Sequence, residues 1–263
     1  MSAMSESPPV VLRERRGQVE ILTLNRPEAR NAVNGEVTSQ MSAALDELVD
    51  DDDLRVIVLT GAGDRAFCAG MDLKAFASGS AGSIGGSTGG FAGFVRRDIP
   101  VPVIAAVNGP ALAGGFELVL ACDLVVAAEH AVFGIPEVKR GLIAAGGGLV
   151  RLPKRLPMAM AMELALTGDP ISATRAQELG LVNAVVPADR VLEEALAFAG
   201  RITENAPLSV RHSRLLTKQA AEVTEAEAWD LSDAATREVF TSADAREGPI
   251  AFAEKRAPNW QGR

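Results

Sequence analysis

Two glutamates, Glu117 and Glu137, stand among residues too apolar to solvate a carboxylate. Glu117 follows the small-residue loop Ala113, Gly114 and Gly115 where a helix should open; Glu137 comes just past a strand-like run ending at Gly134. Carboxyl groups in such settings are candidates for shifted pKa values and for moving protons in a reaction. Each also has an ordinary explanation. A glutamate in the first turn of a helix gains roughly 0.3–1 kcal/mol from the helix dipole alone, and a Pro-Glu pair after a strand makes a common turn. The neighbouring glycines shift the balance, because they leave backbone N–H groups uncovered for a ligand.

The elements that must hold these groups run from residue 102 to residue 148. The pattern predicts a short apolar strand over 103–107, an Asn-Gly turn, the glycine loop, a helix opening at Phe116 and Glu117, and a strand over 124–127. Upstream, 10–12 and 19–24 suggest a hairpin around Gly17. A helix near 35–48 has Val37, Met41, Ala44, Leu45 and Leu48 on one face. The continuous apolar run 55–60 reads as a buried strand of a parallel sheet. It enters a glycine-bearing loop, 61–74, whose spacing is not the dinucleotide fingerprint. That loop is read as bringing backbone N–H groups to a ligand.

Residues 77–93 are rich in Gly and Ser, which fits either a flexible linker or a mobile wall over an acyl pocket. Residues 149–166 suggest a turn and one helix, and 183–187 a last strand. Helices are expected over 189–203, 207–220, 224–239 and 244–254. The shift to helices alone marks a soft boundary near residue 200. The resulting division is a disordered 1–9, a core over 10–200 and a helical region over 201–263. No strict internal repeat is visible, although strand-helix units recur loosely.

Composition removes several function classes. The 263 residues are 48% hydrophobic and 23% charged, ordinary for a soluble globular protein. No apolar run approaches the roughly 20 residues of a membrane span, and the first ten residues lack a signal-peptide layout. A cytoplasmic protein is expected. The net charge of −8 argues against a nucleic-acid partner. The two cysteines, Cys68 and Cys122, read as buried small hydrophobes. With His130 and His212 the only histidines, neither a Cys/His metal cluster nor a Ser-His-Asp hydrolase is well supplied.

Six strings occur in order between Val19 and Arg256: LNRPEARNAV, GAGDRAFCAGMDL, PVIAAVNGPALAGGFEL, FGIPEVKRGL, LTGDPISATRAQELGLVNAVV and FAEKR. Together they resemble the enoyl-CoA hydratase/isomerase (crotonase) family over nearly the whole chain. The resemblance implies an α/β fold, a crotonase-like spiral of ββα units with a C-terminal helical trimerisation region. It also implies a homotrimer or a dimer of trimers, and an acyl-CoA thioester as substrate.

Matching the motifs places an oxyanion hole at the N–H groups of Met71 and Gly114. Losing one such donor costs on the order of 10²–10³ in rate. The hydratases of this family carry a glutamate at both positions matching Glu117 and Glu137, so the resemblance implies hydration of a 2-enoyl-CoA to a 3-hydroxyacyl-CoA, in fatty-acid or steroid side-chain β-oxidation. Glu117 would activate the water that attacks C3, and Glu137 would deliver the proton to C2. No metal or redox cofactor is implied, since coenzyme A is part of the substrate. Arg26, Arg30 and Lys74 would line the CoA side, with backbone of Ala69, Gly70, Asp72 and Leu73 around the pantetheine and adenine. Lys255 and Arg256 would reach the phosphates, those of a neighbouring subunit included.

Two departures bear on the acyl pocket. Residues 144–150 replace the Pro-Gly-Ala-Gly-Gly-Thr-Gln run of many hydratases, and Phe116 stands where a smaller residue is common. Both are read as touching the pocket wall and leave the shape of the acyl group open. The alternatives are a double-bond isomerase using Glu137 as its single base, and a catalytically weak acyl-CoA binder.

Overall fold

The structure, a computed structural model, describes residues 8–75, 77 and 88–263. Residues 1–7 of the stretch expected to be disordered, and most of the Gly/Ser-rich segment, lie outside the described residues.

The chain begins with a hairpin, β1 (Val11–Arg16) and β2 (Val19–Leu24), turned at Gly17 with φ of +58°. Helix α1 (Gly35–Val49) crosses to β3 (Val56–Gly61). Strand β4 (Val103–Val107) passes through the Asn-Gly turn into β5 (Ala111–Leu112) and α2 (Gly114–Ala121). Strands β6 (Leu124–Ala128) and β7 (Val132–Gly134) repeat that step. Next come α3 (Gly148–Arg155), α4 (Met158–Thr167), β8 (Ile171–Ser172), α5 (Ala173–Glu178) and β9 (Ala184–Val186). Helices α6 (Val191–Thr203), α7 (Pro207–Ala220), α8 (Glu225–Thr241) and α9 (Ala243–Glu254) follow.

The larger sheet runs β1-β2-β3-β4-β6-β9 and is parallel apart from the β1–β2 pair; the smaller runs β5-β7-β8. Strands β3 and β4 are buried along their whole length, as the uninterrupted apolar runs require of parallel strands covered on both faces. Helix α6 covers β3, β4 and β6, burying Val191, Ala195 and Ala199 at helical spacing.

After leaving the larger sheet, the chain repeatedly makes a short extended step in a second layer. Val33 bridges Met71, Cys68 bridges Ala111, and β5 pairs with β7, all in parallel. This is the spiral of ββα units expected from the sequence. The loosely recurring strand-helix units are its successive turns.

One expected helix is two. Within 149–166, Leu156 is extended (φ −131°, ψ 154°) and Pro157 starts the next helix, so α3 and α4 are separate. A residue before proline avoids the helical region, and proline has no N–H to continue the ladder.

The C-terminal helices fall within a few residues of expectation because their caps are explicit. Thr224 and Glu227 form a capping box, and Ser242 accepts from Ala245 N–H. Asp123 ties α7 to the core: it accepts from Val103 N–H and Arg214 Nε, each at 2.8 Å, and pairs with Lys218. Helix α8 buries no residue, and Trp229, Phe240 and Phe252 are exposed. Both cysteines are buried, which pushes their thiols up to about 12. No helix of the described residues is long and apolar enough to cross a membrane.

Candidate active site

A cavity of about 580 Å³ opens where the second layer meets the N-terminus of α2. Met71, Gly114, Glu117 and Glu137 all line it.

Backbone geometry explains why two N–H groups are left for a ligand. Val33 donates to Gly70 O and accepts from Asp72 N–H, each at 2.8 Å, so Met71 between them keeps its N–H unused. On the other side, Leu112 N–H donates to Cys68 O at 3.0 Å, but pairing stops there. Ala113 turns to φ of +52° and caps α2, and Gly114 N–H becomes one of the orphan donors of a helix start. Neither the Met71 nor the Gly114 N–H has a partner among the described residues. The glycines are sterically required. A Cβ on Gly114 would collide with the Phe91 ring, and one on Gly115 with Cys68 O.

Glu117 lies in the first turn of α2 and is 3% exposed. Its Oε1 accepts from Gly148 N–H, the first residue of α3, at 2.8 Å. Burial raises its pKa. The N–H groups of Gly148 and Gly146 and the Arg151 charge oppose that rise by stabilising the carboxylate. Arg151 also donates to Val95 O and Gly146 O, fastening the glycine loop that faces Glu117.

Glu137 sits in a 3-10 turn, Pro136–Arg140, with few groups to support a charge. Its Oε2 is shut from solvent with no hydrogen-bond partner among the described residues. Burial, with a further push from the Glu117 charge, moves its pKa up to about 7. The two carboxyls therefore differ in kind. One is held by donors suited to an anion, and the other is poised to keep or release a proton near neutrality.

The remaining expected residues divide. Arg30, Ala69 and Leu73 line the cavity. Gly70, Asp72 and Lys74 support the loop from outside the lining: Gly70 takes φ of +90°, and Asp72 Oδ1 accepts from Lys74 N–H at 3.1 Å. Arg26 is not free to meet a ligand, because it pairs with Asp72 at 3.1 Å and bonds Ala32 O. Phe116 is a correction. Its side chain is fully buried against Phe133, ring centroids 5.5 Å apart, because its place on α2 faces the core rather than the cavity. Lys255 is exposed at the left-handed end of α9 and stands apart from the cavity, while Arg256 is paired with Glu247 and Glu254.

Gly90 and Phe91 from 77–93, and Ala145 and Gly146 from 144–150, line the cavity, in the segments read as pocket wall; sequence reasoning missed Arg96, Arg140, Leu142 and Ile143 in the lining, and the roles of Gly148 and Arg151. The glycine run 146–148 ahead of a helix was the available signal for an anion-facing loop.

A family model described as enoyl-CoA hydratase/isomerase matches residues 14–263. The carnitinyl-CoA dehydratase of Proteus mirabilis (strain HI4320) is 42% identical over 253 residues, covering 94% of this chain and 97% of that protein. Enoyl-CoA hydratase EchA19 of Mycobacterium tuberculosis is 45% identical over 266 residues, covering 99% of this chain and all of that protein. A crystal structure of an enoyl-CoA hydratase from M. tuberculosis H37Rv superimposes with a TM-score of 0.93 at 50% identity, over 97% of this chain and 100% of that one. The chain belongs to the enoyl-CoA hydratase/isomerase family.

Proposed function

We propose that this protein adds water across the double bond of a 2-enoyl-CoA to give a 3-hydroxyacyl-CoA, and catalyses the reverse dehydration. The observation that carries the reading is one cavity holding two unpaired N–H donors, Met71 and Gly114, beside two carboxyls in contrasting settings. The donors would receive the thioester oxygen as it gains negative charge, where preorganised dipoles are worth most.

In the hydration direction, the Glu117 carboxylate takes a proton from water as the water oxygen bonds C3. The pair of electrons from the C2–C3 double bond moves into the enolate, whose oxygen lies at Met71 and Gly114. Glu137 then gives its proton to C2, and the carbonyl reforms. The product has gained one water; Glu117 has gained a proton and Glu137 has lost one, and exchange with solvent restores both. Both transfers use the chain's own carboxyls, so the proposed reaction calls for no metal or redox cofactor. Each correctly placed acid or base contributes about 10²–10⁴ in rate.

The apolar side chains of Phe91, Leu142 and Ile143 in the lining support an acyl chain as ligand, in keeping with β-oxidation of fatty or steroid side chains. Arg30 supports a CoA path leading out past the 26–33 loop. Exposed Trp229, Phe240 and Phe252 on the last helices support assembly into a trimer or a dimer of trimers.

The test follows loss of enoyl-thioester absorbance and weighs the product. A gain of one water supports the proposal. A shifted double bond at unchanged mass would replace it with isomerisation, and binding of CoA esters without reaction would leave a binder.

A further inference from the structure

One wall of the cavity carries a cation with no acid paired to it among the described residues. Arg96 lines the cavity. Its backbone N–H donates to Gly89 O at 2.8 Å, and its aliphatic stem lies over Gly90, where an added Cβ would come within 3.0 Å of Cγ. Among the described residues its guanidinium makes no hydrogen bond and no ion pair. The next residue shows the contrast, since Arg97 pairs with Asp46 and bonds Gly93 O.

The surroundings make this charge more consequential. Burial lowers the Arg151 pKa, and the nearby Arg96 charge adds to that in a small way. Glu117 already accepts from the Gly148 N–H and feels the Arg151 charge. Around Arg96, positive charge is therefore in surplus. Arg30 lines the cavity from another segment, whose carbonyl at Arg30 accepts from Ala69 N–H in the loop that carries Met71. Phe91, in the same segment as Arg96, sets its ring against Gly114, so the segment that carries Arg96 borders the place a thioester oxygen would take. Phe91, Leu142 and Ile143 supply apolar wall in the same cavity.

We propose that Arg96 selects acyl-CoA thioesters whose acyl chain ends in a carboxylate, by pairing with that carboxylate beyond the reacting double bond. The inference rests on reading the site as a CoA-thioester site. An acyl group bearing a quaternary ammonium, as a carnitinyl group does, would meet repulsion at the same place.

The test measures dissociation constants by calorimetry for unreactive saturated thioesters. Glutaryl-, adipyl- and suberyl-CoA are compared with valeryl-, hexanoyl- and octanoyl-CoA, and with free CoA, on the wild type, Arg96→Met and Arg96→Lys. At least one dicarboxylic ester should bind about fivefold more tightly than its neutral counterpart, the scale of a solvent-screened ion pair. Arg96→Met should abolish that gap and leave the neutral esters and free CoA unchanged, and Arg96→Lys should keep part of it. No gap in the wild type, or a gap that survives Arg96→Met, overturns the proposal. Equal weakening of every ligand in Arg96→Met, free CoA included, also overturns it, by placing Arg96 on a CoA phosphate. Hydration of crotonyl-CoA is assayed separately, so a protein that shows the gap but turns nothing over fails the hydratase reading and not this one.

Discussion

Met71 and Gly114 occupy the same place in two neighbouring segments: each follows, by three residues, one partner of the Cys68–Ala111 bridge. The bridge sets the two segments in register, and their divergence after it leaves both N–H groups facing the cavity. The donor pair is thus a product of one spiral turn lying on the next, and it depends on Gly114 having no side chain. Gly114→Ala should lower kcat by about 10²–10³, the cost of a lost oxyanion donor, because the new Cβ collides with Phe91. The strain is steric, so adding Phe91→Leu should restore part of the rate. Steady-state kinetics of the single and double variants check this.

Glu137, with its pKa near 7, should give the two directions of reaction opposite pH dependence. Hydration needs its acid form, which is present below that value and lost as pH rises through it, so kcat for hydration should fall above about pH 7. Dehydration needs its carboxylate, so its kcat should rise over the same interval. Glu137→Gln should remove both limbs and cost about 10²–10⁴ in rate. A pH profile in each direction reads the result.

The same shift has a consequence for stability. The ordinary value is 4.5, and the folded state raises it to about 7. The folded chain therefore holds this proton more tightly than the unfolded chain. The resulting stability is fully present below 4.5 and is lost as pH rises through about 7. Glu137→Gln should stabilise the protein by on the order of 1 kcal/mol at about pH 8, after discounting for the group's partial exposure. At about pH 4 it should change little, because both states are then largely protonated. Urea unfolding at the two pH values measures the difference.

The parts of this protein legible in its sequence were those written locally. Apolar runs gave β3, β4 and β6. The C-terminal helices expected from the sequence start close to where the structure caps them locally, with Pro207, the Thr224–Glu227 box and Ser242. The glycines beside Glu117 gave the donor loop. What was missed depends on contacts between distant segments. Arg151 reaches Val95 O, and Gly148 N–H reaches Glu117 across 31 positions of sequence. Phe116 failed for a related reason: position beside Glu117 says nothing about which face of α2 it takes, and successive residues on a helix point in different directions. Arg26 was expected along the CoA side, and the structure pairs it with Asp72, which lies 46 positions away.

Asp123 should be the residue on which attachment of α7 to the core most depends. Its carboxylate faces Arg214, Lys218 and Val103 N–H together, and both it and Arg214 are largely buried. Asp123→Asn keeps the shape but removes the charge. A loss of about 1.5–3 kcal/mol is expected, as for hydrogen bonds to charged groups. Denaturant unfolding gives the magnitude. Limited proteolysis should show faster cleavage near α7 than in the wild type.

Arg151 touches no part of the proposed reacting bond, yet it should set the working range of Glu117. It fastens Val95 O to Gly146 O, and its charge helps keep Glu117 ionised in a buried position. Arg151→Met removes both effects. The glycine loop loses its tether, and a misplaced base can cost about 10²-fold in rate. The Glu117 pKa should rise further, because burial then meets less opposition. Hydration uses the carboxylate, so the acidic limb of kcat/KM should move to higher pH. Arg151→Lys separates the two contributions: it retains the charge and so should return the acidic limb towards its wild-type position. A single ammonium cannot reproduce the planar reach of a guanidinium to two carbonyls, so kcat should stay low. If Arg151→Met lowered kcat and left the acidic limb in place, Arg151 would be a tether alone.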